Sequence, residues 1–156
     1  MQSKGTTVCL PADIDTDMVI AGRYLRTKDR SIWATRVFED LDPTIAPRLK
    51  GAVIVAGKNF GCGSSREQAP LALREAGVVA VVAPSFARIF FRNAINVGLP
   101  LIESDLKCSN GTRIIFNIRN GWVDAAGKRY AVSPLSQRMQ EILAAGGLVE
   151  YWRAHQ

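Results

Sequence analysis

What the chain has little of narrows it first. Its three cysteines, Cys9, Cys62 and Cys108, are odd in number and far apart, and no C-x-x-C pair occurs. That spacing supports neither a disulfide framework nor a self-contained zinc or iron–sulfur site. The one histidine, His155, stands next to the end of the sequence, so a His-based general base and a His ligand cluster are both excluded. The longest apolar run, Ala76 to Pro84, is too short to cross a bilayer. No signal-peptide core follows Met1–Gly5, so the expected location is the cytoplasm. Repeats, low-complexity segments and linkers are absent, and residues 1–156 are expected to form one domain.

The charge balance is basic, +6 with a sequence pI near 9.6, yet no run of Lys and Arg exceeds two. Aromatic residues are not interleaved with these cations. The pattern fits an anionic substrate or an acidic partner at least as well as RNA, and nucleic acid is disfavoured as a ligand. Apolar residues make up 47% and charged ones 22%, the balance of a globular domain rather than a disordered chain.

The centre of the chain is Gly61-Cys62-Gly63-Ser64-Ser65-Arg66-Glu67. The apolar run Ala52–Ala56 before it predicts a buried strand, and Gln68–Ala76 after it a helix. Strand, glycine-rich turn and helix start form an anion cradle by geometry alone, because free backbone N–H groups and the positive end of the helix dipole point the same way. It is not a phosphate loop: no G-K-[ST] follows Gly57, and no third glycine completes G-x-G-x-x-G. Ser64-x-x-Glu67 matches a capping box, a purely structural use of the serine. Pro70 works against a regular first turn, since it cannot donate to the Arg66 carbonyl and its ring crowds that position. Arg66 offers a planar fork suited to a carboxylate.

Ser64 cannot be activated from within the turn. Losing its proton near neutrality requires a pKa drop of many units, each worth about 1.36 kcal/mol. A helix terminus supplies only about 0.3–2 kcal/mol. A metal, a second cation or a proton acceptor on another chain is needed to complete the site.

Around the centre, Thr6–Leu10 predicts a first strand, and Ala12–Asp17 a turn capped by its own Asp and Thr side chains. A calcium loop there is ruled out by Met18 and Tyr24, which stand where glycine and glutamate are required. Ser31–Leu41 predicts a helix capped by Ser31, and Val78–Ala83 a second buried strand, so that a parallel βαβ unit is expected. Ser85 is expected to cap a helix over Phe86–Val97, with Phe86, Ile89, Phe90, Asn93, Ala94 and Val97 inward and Arg88 and Arg92 on a solvated or partner-facing side. Asn120-Gly121 predicts a hairpin, and Ser133-Pro134 the start of a further helix. The fold class is α/β with a mixed sheet.

The segment Gly57–Ala69 resembles the signature of the aconitase-family swivel domain, and in particular its free-standing small subunits, those of 3-isopropylmalate dehydratase and homoaconitase. Asp13–Asp17, Tyr24–Thr27, Ser85–Ala94 and Ile142–Leu148 carry the resemblance along the chain. Only Lys107–Ala131 adds little. The resemblance implies a three-layer β/β/α swivelling domain with a mixed, partly parallel sheet. This domain closes over an active site in a large partner subunit, as a heterodimer or heterotetramer. No cofactor is expected in this chain; a [4Fe-4S] cluster is expected in the partner.

The implied reaction is dehydration and rehydration of a 2-hydroxy diacid. By the family pattern Ser64 is the catalytic base, and Ser65 and Arg66 hold a substrate carboxylate. Thr16 and Asp17 lie close by. Arg26 occupies the loop tied to substrate choice, where an arginine suits a third carboxylate, as in homoaconitate, and an apolar residue the isopropyl group. Isopropylmalate, homocitrate and other alkylmalates therefore all stay open as substrates, beside a non-catalytic anion- or RNA-binding role. Cys62 reads as a small turn residue rather than a nucleophile, and Asp13 and Asp15 as turn acids.

Overall fold

The structure, a computed structural model, describes residues 2–156. Its spine is a run of parallel strands built from the apolar segments. They are β1 (Ser3–Leu10), β2 (Ala52–Ala56), β3 (Ala80–Ala83) and β4 (Leu101–Glu103). Every residue of β2 and β3 is buried, as required of strands covered on both faces. β2 lies between β1 and β3 in parallel register, with Thr6 opposite Ala52 and Val53 opposite Ala80. β1 is the turning point of the sheet: its other side pairs antiparallel with β5 (Arg113–Asn117). β6 (Trp122–Ala125) and β7 (Lys128–Ala131) then complete the order β4-β3-β2-β1-β5-β6-β7. The Asn-Gly signal forms the β5–β6 turn, where Gly121 sits at φ +75° and donates to the Asn117 carbonyl at 2.9 Å.

Alternation along β2 separates three layers. Ala52, Ile54 and Ala56 pack under the helices α1 (Thr16–Val19), α2 (Arg30–Arg36), α3 (Gln68–Glu75) and α4 (Arg88–Asn96). Val53 and Val55 point the other way and meet Ile114, Phe116, Val123 and Ala125 of the antiparallel half. The sheet therefore curls back over its own far face, giving helices, parallel strands and antiparallel strands in succession. Each fully buried valine contributes about 1.5–3 kcal/mol by leaving water. The helices α5 (Gln137–Ala145) and α6 (Leu148–Ala154) close on α4 through Ile95, Ile142 and Tyr151.

Three helix starts differ from the sequence expectation. Asp29, not Ser31, caps α2, accepting from the Ser31 N–H at 3.0 Å. That helix stops at Arg36 because Val37 turns extended and Phe38 takes φ +59°, which buries both side chains completely. Ser85 does not cap α4: its hydroxyl accepts from the Asn59 N–H at 2.9 Å, Phe86 stays extended, and the helix begins at Arg88. Ser136, not Ser133, caps α5.

Candidate active site

The carboxyl ends of β1, β2 and β3 lie side by side, and the loop leaving each of them meets the other two. Open parallel sheets place their ligand sites at this edge. The loops are joined main chain to main chain. Gly61 donates to the Ile14 carbonyl at 2.7 Å, and Thr16 to the Cys62 carbonyl at 2.9 Å. On the other side Phe60 donates to the Ser85 carbonyl at 3.1 Å, and Ala87 to the Phe60 carbonyl at 2.9 Å. The glycine turn is thus clamped between residues 12–17 and 84–87. Asp15 caps α1 by accepting from the Met18 N–H at 2.9 Å, and the Asp13 carboxylate accepts from the Asn59 amide at 3.1 Å. Both acids serve the turn, as read.

Two glycines are obligatory in this clamp. Gly61 has φ +86°, and a Cβ there would fall 2.2 Å from Cγ of Phe90. Gly63 has φ +90° and lies against Asp15. Both take the left-handed conformation that side chains disfavour.

The capping box does not form. α3 begins only at Gln68, with Glu67 at the cap position in helical conformation (φ −63°, ψ −29°) and no side-chain capping bond. Pro70 is the third residue of the helix, where its missing N–H is no loss. The Ala69 N–H reaches the Arg66 carbonyl at 3.3 Å, the tight i to i+3 contact of a 3₁₀-type start. Ser64 is held instead by its own carbonyl, which accepts the Thr16 hydroxyl at 2.8 Å. Among the described residues neither the Ser64 nor the Ser65 hydroxyl has a hydrogen-bond partner.

A cavity of about 300 Å³ opens here, lined by Thr16, by Gly61 and Gly63 to Arg66 of the turn, and by Ala87 to Phe90. Two larger cavities lie elsewhere, one between β5 and α5 and one beside Glu103 and Arg129, and neither touches the glycine turn. The Arg66 guanidinium is mostly buried beside Gly22 and forms an ion pair with the exposed carboxylate of Asp17. The contact is one of charge: Arg66 Nη1 is buried and makes no well-directed hydrogen bond among the described residues. Nη1 is the nitrogen that meets Asp17, so an incoming carboxylate would share or displace that contact with the guanidinium. Burial, with Asp15 nearby, raises the Cys62 thiol, so it stays protonated and is a poor nucleophile at neutral pH.

Five of the six candidate residues, Thr16, Asp17, Ser64, Ser65 and Arg66, thus lie together. Arg26 does not join them. It is exposed and outside the cavity lining, on a loop pinned upstream by Tyr24. The Tyr24 hydroxyl donates to Glu39 at 2.5 Å, and its carbonyl accepts from the Trp33 indole at 2.9 Å. Sequence reasoning missed Arg88 and Ile89 as cavity residues. The one available signal was a cation at the first position of α4, where the helix dipole disfavours it.

The cradle of hydroxyls and a guanidinium thus lies open at the edge of a curled mixed sheet. Residues 11–105 match the model of the aconitase C-terminal domain, and the chain belongs to that family. It is 51% identical over 148 residues to the 3-isopropylmalate dehydratase small subunit of Aliarcobacter butzleri (strain RM4018), covering 92% of this chain and 89% of that protein. It is 50% identical over 143 residues to the methanogen homoaconitase small subunit of Methanothermobacter thermautotrophicus, covering 90% and 84%. A crystal structure of 3-isopropylmalate dehydratase from Methanocaldococcus jannaschii superposes with a TM-score of 0.94 at 42% identity, covering 99% of this chain and 95% of that one. Among the described residues no helix is long and apolar enough to cross a membrane.

Proposed function

We propose that this chain is the small subunit of a 3-isopropylmalate dehydratase, an aconitase-type hydro-lyase, and works only with a large partner subunit. The observation that carries the reading is the Ser64 hydroxyl, freed from the capping box, on a residue that lines one cavity together with Ser65 and the Arg66 guanidinium. Relatives named as small subunits of this dehydratase, about half identical over nearly the whole chain, supply the reaction class.

In this reading Ser64 takes the proton from the carbon next to the hydroxyl-bearing carbon of a 2-hydroxy diacid and returns it on rehydration. Ser65 and Arg66 hold a carboxylate of the substrate, and Asp17 fixes the guanidinium in place. Thr16 holds the Ser64 backbone, so the hydroxyl is presented at a constant position. A [4Fe-4S] cluster does not fit this chain: among the described residues no three His, Cys, Asp or Glu side chains gather as a metal site, and Cys62 alone lies at the turn. When bound by the large subunit, such a cluster supplies a Lewis-acidic iron for the substrate hydroxyl.

The division of labour has a physical reason. α3 begins four residues after Ser64, beyond the reach of a dipole effect that fades within one turn. Activation must come from the partner, and the isolated chain is expected to be inert. The homoaconitase reading is favoured by the Methanothermobacter relative and by Arg26, which could meet a third carboxylate only if its loop folds toward the cavity.

Co-expression with the large subunit tests this. The complex should interconvert 2- and 3-isopropylmalate, and Ser64→Ala should lower turnover by at least about a thousandfold with assembly intact. Undiminished turnover in that variant removes Ser64 as the base. Salt-dependent RNA binding by a chain that supports no turnover would instead favour the binding role.

A further inference from the structure

The first turn of α4 brings to the cavity an aliphatic side chain that the core does not use. Phe90 and Ile95 of this helix are buried, 3% and 2% exposed, whereas Ile89 is 55% exposed. A single exposed isoleucine is ordinary on a protein surface. This one forms part of the wall of the cavity that holds Ser64, Ser65 and Arg66. Its placement is fixed from below. The ring of Phe90 packs edge to face on Phe60 at 5.4 Å and fills the space that a side chain at Gly61 would need. Turning the helix would break that fit, and Ile89 lies one residue, about 100°, around the helix from Phe90.

Beside Ile89 the cavity is lined by two free hydroxyls, by the Arg66 guanidinium paired with Asp17, and by Arg88, which has no ion-pair partner among the described residues, while Ala87 and the ring of Phe90 add further apolar surface. The cavity thus combines groups suited to carboxylates with an apolar wall of which Ile89 is the exposed aliphatic part. We propose that Ile89 is the residue by which this chain favours substrates with an apolar substituent. It faces the alkyl branch of a substituted malate, while the carboxylates go to Ser65, Arg66 and Arg88. The proposal rests on the hydro-lyase reading above. It places selection on the first turn of α4 as well as on the Arg26 loop.

The test uses the complex with the large subunit and three substrates that share their carboxylates: 3-isopropylmalate, 3-methylmalate and malate. Ile89→Ala should lower kcat/KM for isopropylmalate by about tenfold or more, the scale expected for lost apolar contact in a substrate pocket. Malate should change by no more than about twofold. Ile89→Gln should shift the ratio the same way, which separates the lost apolar surface from lost volume. An equal loss on all three substrates overturns the proposal. So does weaker subunit association in sedimentation with an unchanged substrate ratio, which would mark Ile89 as a contact with the partner. A wild-type complex inactive on every one of these substrates overturns the isopropylmalate dehydratase reading together with the proposal, whereas activity without altered selectivity overturns the proposal alone.

Discussion

Thr16 donates its hydroxyl to the main-chain carbonyl of Ser64 at 2.8 Å, while its own N–H is bonded to the Cys62 carbonyl at 2.9 Å. One residue from the loop after β1 therefore holds both sides of Gly63. Thr16 is 2% exposed, so no water replaces a bond that is lost. Thr16→Val keeps the shape and removes the donor. It should destabilise the chain by about 1–3 kcal/mol, the range for an unpaired buried polar group. At about 2–4 °C per kcal/mol for a domain of this size, the change is readable in a thermal melt. Turnover of the complex should fall further than the melt explains, because Ser64 loses its fixed position, and Thr16→Ser should recover both. A valine variant that melts and turns over like the wild type would show the hydroxyl to be dispensable.

Gly61 is the least replaceable residue of the turn. An alanine there meets a disfavoured φ of +86° and a Cβ 2.2 Å from the Phe90 ring carbon. Left-handed strain and overpacking each cost about 1–3 kcal/mol, so Gly61→Ala should lose about 2–6 kcal/mol. Adding Phe90→Ala, which removes the ring with its Cγ and Cδ1, should give a double variant more stable than the two single losses predict. Chemical denaturation of the four proteins measures the coupling, and strictly additive losses would mean that the ring is not the obstacle.

Glu39 makes stability depend on acid. It accepts from the Tyr24 hydroxyl at 2.5 Å, from Arg23 at 2.9 Å and from Arg36 at 2.9 Å. These bonds, that of Tyr24 first, hold its carboxyl down at about 2 against an ordinary value of 4.5. A carboxylate lowered on folding stabilises the fold fully above its unfolded value and loses that contribution as pH falls toward its folded value. Denaturant midpoints measured at low salt should therefore fall between about pH 4.5 and pH 2. Glu39→Gln should flatten that slope, and added salt should reduce it, since the cluster lies at the surface. An unchanged slope in Glu39→Gln would assign the acid response to other carboxylates.

The sequence was most legible where burial leaves one choice. β2 and β3 stood out as unbroken apolar runs because strands covered on both faces can carry little else. The Asn120-Gly121 turn was legible for the same kind of reason, since its backbone needs a residue that accepts positive φ. Helix starts were harder. Ser31, Ser85 and Ser133 all have capping chemistry, but Asp29 and Ser136 cap the helices, and Asn59 engages Ser85. Phe38 ends its helix for a buried place that no local pattern specifies. The Ser64 capping box failed through Pro70 and the two glycines, all visible in the sequence, although their combined effect needed the three-loop clamp to be seen. Helical periodicity placed Ile89 on the inward stripe with Phe90, but the helix begins only at Arg88 and leaves Ile89 55% exposed, so the apolar wall of the cavity stayed hidden. The fold-back of β5 to β7 over Val53 and Val55 leaves no sequence signature, because it depends on the curl of the whole sheet.

The main-chain stitching of the three loops bears on how this active-site wall can diversify. Gly61 to Ile14, Thr16 to Cys62 and Ala87 to Phe60 are joined backbone to backbone, so the frame does not depend on the side chains at the mouth of the cavity. Arg88 and Ile89 can be exchanged without moving Ser64. A gene duplicate could thus change the mouth of the cavity by one or two codons, with the position of Ser64 inherited intact.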